Sequence, residues 1–122
     1  MKSMTFPVEV VLKGRDFASV QSGILPAEPA LWTDAQVREV LAEILRAIAR
    51  AEDKASPADR AVVLQGFSWI VEPNGDDGVV IAIEIPMGAS VAGPFAIGQA
   101  ELDAMIARVL RAERQGYSET IH

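Results

Sequence analysis

The chain has no cysteine and only one histidine, His122, at its last position. Without cysteine there is no disulfide framework, thiolate zinc site, iron–sulfur ligation or thiol nucleophile. With the lone imidazole at the chain end, no Ser–His or Cys–His constellation can be built, and neither a positioned base nor a metal ligand is expected there. Long hydrophobic runs are missing as well. No window approaches the roughly 18 apolar residues of a membrane span, and the opening MKSMTFPVEVVLKG lacks the apolar core of a signal peptide. The expectation is a soluble, cytoplasmic protein without a membrane partner. Basic residues are in the minority, 11 Lys and Arg against 17 Asp and Glu for a net charge of -6. That balance argues against nucleic acid as a partner, because phosphate binding needs clustered cations. Arg46 with Arg50, and Arg108, Arg111 and Arg114, read as cations on solvated helix faces and near helix C-termini.

What is present is the composition of one globular domain spanning residues 1–122. Half of the residues are hydrophobic and 23% are charged. A chain of this length buries roughly two-thirds of its extended surface without a metal or disulfide staple.

Residues 5–12 alternate, with Phe6, Val8, Val10 and Leu12 on one side and Pro7, Glu9 and Val11 on the other, the pattern of a half-buried strand. Residues 15–32 show no sustained period, yet loops of that length are uncommon in compact domains. A short element near 16–20 or an ordered cover over the core is expected. The first helix has a strong start: Thr33 as N-cap, Gln36 at the capping-box position, and Trp32 placed to close over Val37 as a staple. Val37, Val40, Leu41, Ile44, Leu45 and Ile48 form its apolar stripe to about Asp53, with Arg38, Glu39, Glu43, Arg46 and Arg50 on the other side.

Residues 61–72 and 78–86 read as a hairpin around Pro73-Asn74-Gly75-Asp76-Asp77-Gly78. Setting Glu72 opposite Gly78 pairs Val71 with Val79, Trp69 with Ile81 and Phe67 with Ile83, which puts the large side chains on one face. Residues 86–98 carry Gly88, Gly93 and Gly98 but lack the Lys-Ser/Thr of a phosphate loop and the spacing of a dinucleotide fingerprint. They are expected to turn, with 91–97 as a possible extended stretch. The acidic hairpin tip lacks the ligand order of a calcium loop. A second helix over 99–115 buries Leu102, Met105, Ile106, Val109 and Leu110 and is expected to stop at Gly116, before a possible edge strand over 117–121.

The fold expected is α+β, an antiparallel sheet with two helices on one face, and its βαββα(β) order resembles a ferredoxin-like sandwich. The far face would then carry Val11, Ile70, Val80, Ala82 and Glu84, too apolar for comfort in water and too small-residued for a second core. Those five residues are the candidate binding site of a protein-interaction module, expected to be a homodimer, non-catalytic and without metal or cofactor. Two alternatives are a small-ligand or regulatory domain with a pocket between 15–32 and 86–98, and a chaperone or inhibitor of one partner protein. An enzyme built on Glu84 would need that carboxylate desolvated into a general acid.

Overall fold

The structure, a computed structural model, describes residues 4–76 and 78–120, with the side chains of 116–120 left aside. The elements are β1 (Thr5–Leu12), β2 (Ser19–Ile24), a 3-10 turn at Pro29–Leu31, α1 (Asp34–Glu52), β3 (Ser68–Pro73), β4 (Val79–Ile85), β5 (Gly88–Phe95) and α2 (Gln99–Thr120). All five strands join one antiparallel sheet in the order β2-β1-β5-β4-β3. Both helices pack on the same face, α1 over β1 and β2 and α2 over β3, and they touch each other along the midline.

The class is therefore α+β as expected, but the ferredoxin-like order is not adopted: the chain runs ββαβββα. Two strands account for the difference. β2 lies in the segment without sustained period, because its core-facing positions are Ser19, Gln21 and Gly23 rather than large apolar residues. Phe6, opposite Gly23 in the ladder, fills the space that a side chain there would need. β5 covers most of the extended stretch expected over 91–97 but starts earlier, at Gly88, in residues expected to turn, and it occupies the middle of the sheet. Gly88 shows why glycine is required: a Cβ there would stand 2.3 Å from the Val11 carbonyl oxygen of the neighbouring strand.

The capping box forms as anticipated. Thr33 Oγ1 accepts from the Gln36 amide and Gln36 Oε1 accepts from the Thr33 amide at 2.9 Å. Trp32, Phe95 and Phe6 build the aromatic centre of the core, with ring centroids 5.0 and 5.2 Å apart.

The hairpin register differs from expectation by two residues. Val71 faces Ile81, Trp69 faces Ile83 and Pro73 faces Val79, with the Asn74 amide bonded to the Gly78 carbonyl, so the hairpin is centred one residue later in the chain than expected. A shift of two preserves which side chains share a face, so the core assignment survives it. Residues 61–67 do not join the strand. The chain turns at Gly66, at φ +79°, a conformation that side-chain-bearing residues rarely adopt. At the other end, α2 runs through Gly116 to Thr120, so the expected stop and the strand over 117–121 are not present. Residues 121 and 122, including the lone histidine, lie outside the described residues.

Candidate functional site

Strand alternation gives the sheet two faces, and the one without helices carries all five candidate residues. The ladder aligns Val20, Glu9, Val91, Ala82 and Ile70 in one row across all five strands. The next row is Val11, Ala89, Glu84 and Ser68, and Val80 stands opposite Glu72. Val11 and Ala82 are not neighbours, as a three- or four-stranded sheet would have made them: β5 lies between their strands and joins them through Val91 and Ala89.

The exposure is substantial: Val20 is 68% accessible, Ile70 51%, Val11 46% and Val91 44%. Val80, Ala82 and Ala89 are half-buried by their neighbours. Small side chains at Ala82 and Ala89, between Ile70, Val91 and Glu84, leave a shallow depression of about 320 Å³. Val20, Ala89 and Val91 were missed as members of this face because β2 and the start of β5 do not announce themselves as strands, and the extended stretch expected over 91–97 carries no register by itself. The only hint is the alternation Val20-Ser22-Ile24 and Ala89-Val91, too short beside glycines to separate from a loop.

Glu84 is exposed on this face, opposite Ser68 and Ala89. It is not enclosed by the apolar surroundings that would make it a general acid. The acidic group with an unusual environment is Glu43, which the helical pattern places on the solvent side and the structure buries to 8% exposure. Its Oε1 accepts from the Ile24 amide at 2.7 Å and its Oε2 from Arg46 at 2.9 Å, while Arg46 Nε reaches the Arg60 carbonyl at 2.8 Å. Two turns along, Arg50 donates to the Ser22 carbonyl at 2.6 Å. These bonds take up backbone groups on the outer side of β2.

The other edge is treated similarly. Gln99 Nε2 donates to the Val71 carbonyl at 2.9 Å, and Pro73 has no amide hydrogen to offer. Both sheet edges are thus partly occupied, a common means of preventing strand addition. The open face has no such cover.

On the covered side the helix layer is tied by Arg108, whose guanidinium grips both Asp34 carboxylate oxygens at 2.9 Å, and by an Arg38–Glu113 ion pair. The Arg108 hydrogen bonds hold the Asp34 carboxyl below its ordinary value of 3.8. Ser90 Oγ, buried in β5, has no hydrogen-bond partner among the described residues.

The segments 15–32 and 86–98, proposed to border a pocket, contribute β2 and β5 and lie on either side of β1. None of the cavities described is lined by both. Among the described residues, no group of three or more metal-ligating side chains converges, and no helix is long and apolar enough to cross a membrane. Comparison with protein-family models, with curated proteins and with solved structures yields no match to this chain.

Proposed function

We propose that the chain is a small non-catalytic interaction module that pairs with a second copy of itself through the open face of its sheet. The observation that carries this reading is the contiguous apolar set Val91, Ala82 and Ile70, with Val11 and Val80 beside it and Val20 beyond Glu9 on the edge strand, left in contact with water by the fold. Isolated exposed apolar residues are ordinary; a contiguous set is not. Five strands about 4.8 Å apart and about six residues long give a face of roughly 24 by 20 Å. Glu9, Glu72, Glu84, Ser22 and Ser68 take part of that area, so the apolar portion is smaller and within the range of the largest patches on monomers.

The shape favours a sheet as the occupant. The side chains are valine, alanine and isoleucine, without the deep groove in which a helix or an extended peptide seats, and two such faces pack about 10 Å apart. An isologous pair is self-complementary by symmetry. Occupied backbone groups at both edges turn association away from strand addition and toward the face. A footprint of roughly 500 Å² per copy falls short of the 800 Å² or so per partner in a standard interface, so the dimer is of the weak, concentration-dependent class.

Light scattering coupled to size exclusion tests the reading. At high micromolar concentration the mass should approach twice that of the chain and fall on dilution; a strictly monomeric mass throughout would overturn it.

A further inference from the structure

A second concave site lies away from the open face, between the irregular segment before β3 and the C-terminal half of α2. It encloses about 360 Å³ and is lined by Leu64, Gln65, Gly66, Phe67, Trp69, Leu110 and Arg114. Its volume is at the small end of ligand pockets, and its lining is mixed: Leu64, Phe67, Trp69 and Leu110 supply apolar and aromatic walls, and Gln65, Arg114 and exposed backbone supply nearly as much polar surface.

Three observations set its chemistry. Leu64 is buried and anchors the segment, and the turn at Gly66 places Phe67 and Trp69 on the same wall. Trp69 is half-buried and its indole N–H has no acceptor among the described residues, whereas Trp32 is buried and donates to the Ala27 carbonyl at 2.8 Å. Arg114 lines the mouth without a hydrogen-bond or ion-pair partner among the described residues. Arg15, Arg38, Arg46, Arg50, Arg60 and Arg108 have one, while Arg111, exposed on the same helix, also has none among the described residues but does not line the pocket. No carboxylate lines the pocket, although the chain carries a net charge of -6.

A guanidinium that has no partner among the described residues, beside aromatic walls and with no carboxylate among the lining residues, is complemented by an anion with an apolar body. We infer that this pocket binds a carboxylate attached to an aromatic or branched apolar group. Arg114 takes the carboxylate through two parallel N–H bonds, and Phe67, Trp69, Leu64 and Leu110 enclose the apolar part. The carboxylate belongs either to a small free acid or to the last residue of a peptide. The inference is independent of the dimer reading, since none of these residues except Trp69 belongs to the sheet, and Trp69 is on its helix-covered side.

The experiment is a titration of the full chain with phenylpropionate and with its neutral amide, phenylpropionamide, followed by backbone-amide and indole NMR. The acid should shift Gly66, Phe67 and the Trp69 indole, leave the Trp32 indole in place, and bind at least about tenfold more tightly than the amide. Arg114→Gln, an exposed change, should bring the acid down to the level of the amide. Arg111→Gln should leave the preference intact. N-acetyl-glycyl-phenylalanine binding more tightly than phenylpropionate identifies a peptide end as the natural source, and weaker binding identifies a free acid. Equal binding of acid and amide, a preference that survives Arg114→Gln, or no shift at these residues with millimolar phenylpropionate would overturn the inference.

Discussion

The two faces of the sheet are made by the same strands, often by adjacent residues, and they differ in what covers them. On β1, Phe6, Val8, Val10 and Leu12 are buried under the helices while Thr5, Pro7, Glu9 and Val11 are exposed. On β4, Val79, Ile81 and Ile83 are buried and Val80 and Ala82 remain half-accessible on the other side. Valine and isoleucine occur on both faces, so composition alone does not separate them. The difference lies in the helices, whose apolar stripes match one face in extent and leave none for the other.

The comparison breaks most visibly at Ile81 on the covered face. Its side chain is fully buried in the central core, and Ile81→Ala should cost about 2–5 kcal/mol, read as a fall in the urea midpoint. A loss under 1 kcal/mol would mean that the helix layer is not packed as described.

The next effect is at the junction of the two regions, where Glu43 reaches from α1 to β2. Glu43→Ala leaves the Ile24 amide without its acceptor and Arg46 without its carboxylate, and should cost about 2 kcal/mol. Glu43→Gln keeps an oxygen for the amide and removes only the charge, so it should cost clearly less. Equal costs for the two would show that the ion pair, not the backbone bond, carries the stabilisation. Hydrogen exchange at Ile24 should quicken in the alanine variant and not in the glutamine variant.

These two residues also mark how far the sequence could be read. The stripe Val37, Val40, Leu41, Ile44 and Ile48 on α1 and the alternation on β1 and β4 are periodic, and periodicity reports burial directly; those assignments agree with the structure. Glu43 sits at the margin of the helical stripe, where spacing alone assigns a carboxylate to solvent. Only a strand edge with an unpaired amide explains its burial, and that edge, β2, carries Ser19, Gln21 and Gly23 on its inner side. β5 was obscured by glycines that serve close strand approach rather than turning. The continuation of α2 past Gly116 follows from a residue that permits a helix stop without enforcing one. The site shows the same division: Val11, Ile70, Val80, Ala82 and Glu84 were legible because β1, β3 and β4 alternate, while Val20, Ala89 and Val91 follow only from the ladder.

Val80, next to Ile81 in sequence and on the opposite face, gives the sharpest contrast with the core. Val80→Arg puts a solvated charge on the open face and should change the urea midpoint little, by less than about 1 kcal/mol. Its effect should fall on association, leaving a monomer by light scattering at concentrations where the unaltered chain pairs. If Val80→Arg unfolded the protein, the face would be part of the core. If it left the dimer unchanged, pairing would occur elsewhere.

The smallest effect concerns the ties that hold the helix layer over the covered face. The Arg108 guanidinium keeps Asp34 below its ordinary 3.8, so the folded protein binds the proton less readily than the unfolded chain. The sign follows: the stabilisation is fully present above that value and is lost as pH falls through the lower folded value. Both side chains are about half exposed, so solvent screening keeps it small. Asp34 also sits in the first turn of α1, where its charge is favoured by the positive end of the helix dipole, and Asp34→Asn removes both contributions. Arg108→Gln removes only the first. Urea midpoints at neutral pH should fall slightly in both variants, more in Asp34→Asn, and the differences from the unaltered chain should shrink well below pH 3.8. Equal midpoints for Arg108→Gln and the unaltered chain at neutral pH would assign the whole effect to the helix terminus, leaving α1 and α2 held together by apolar packing and the Arg38–Glu113 pair.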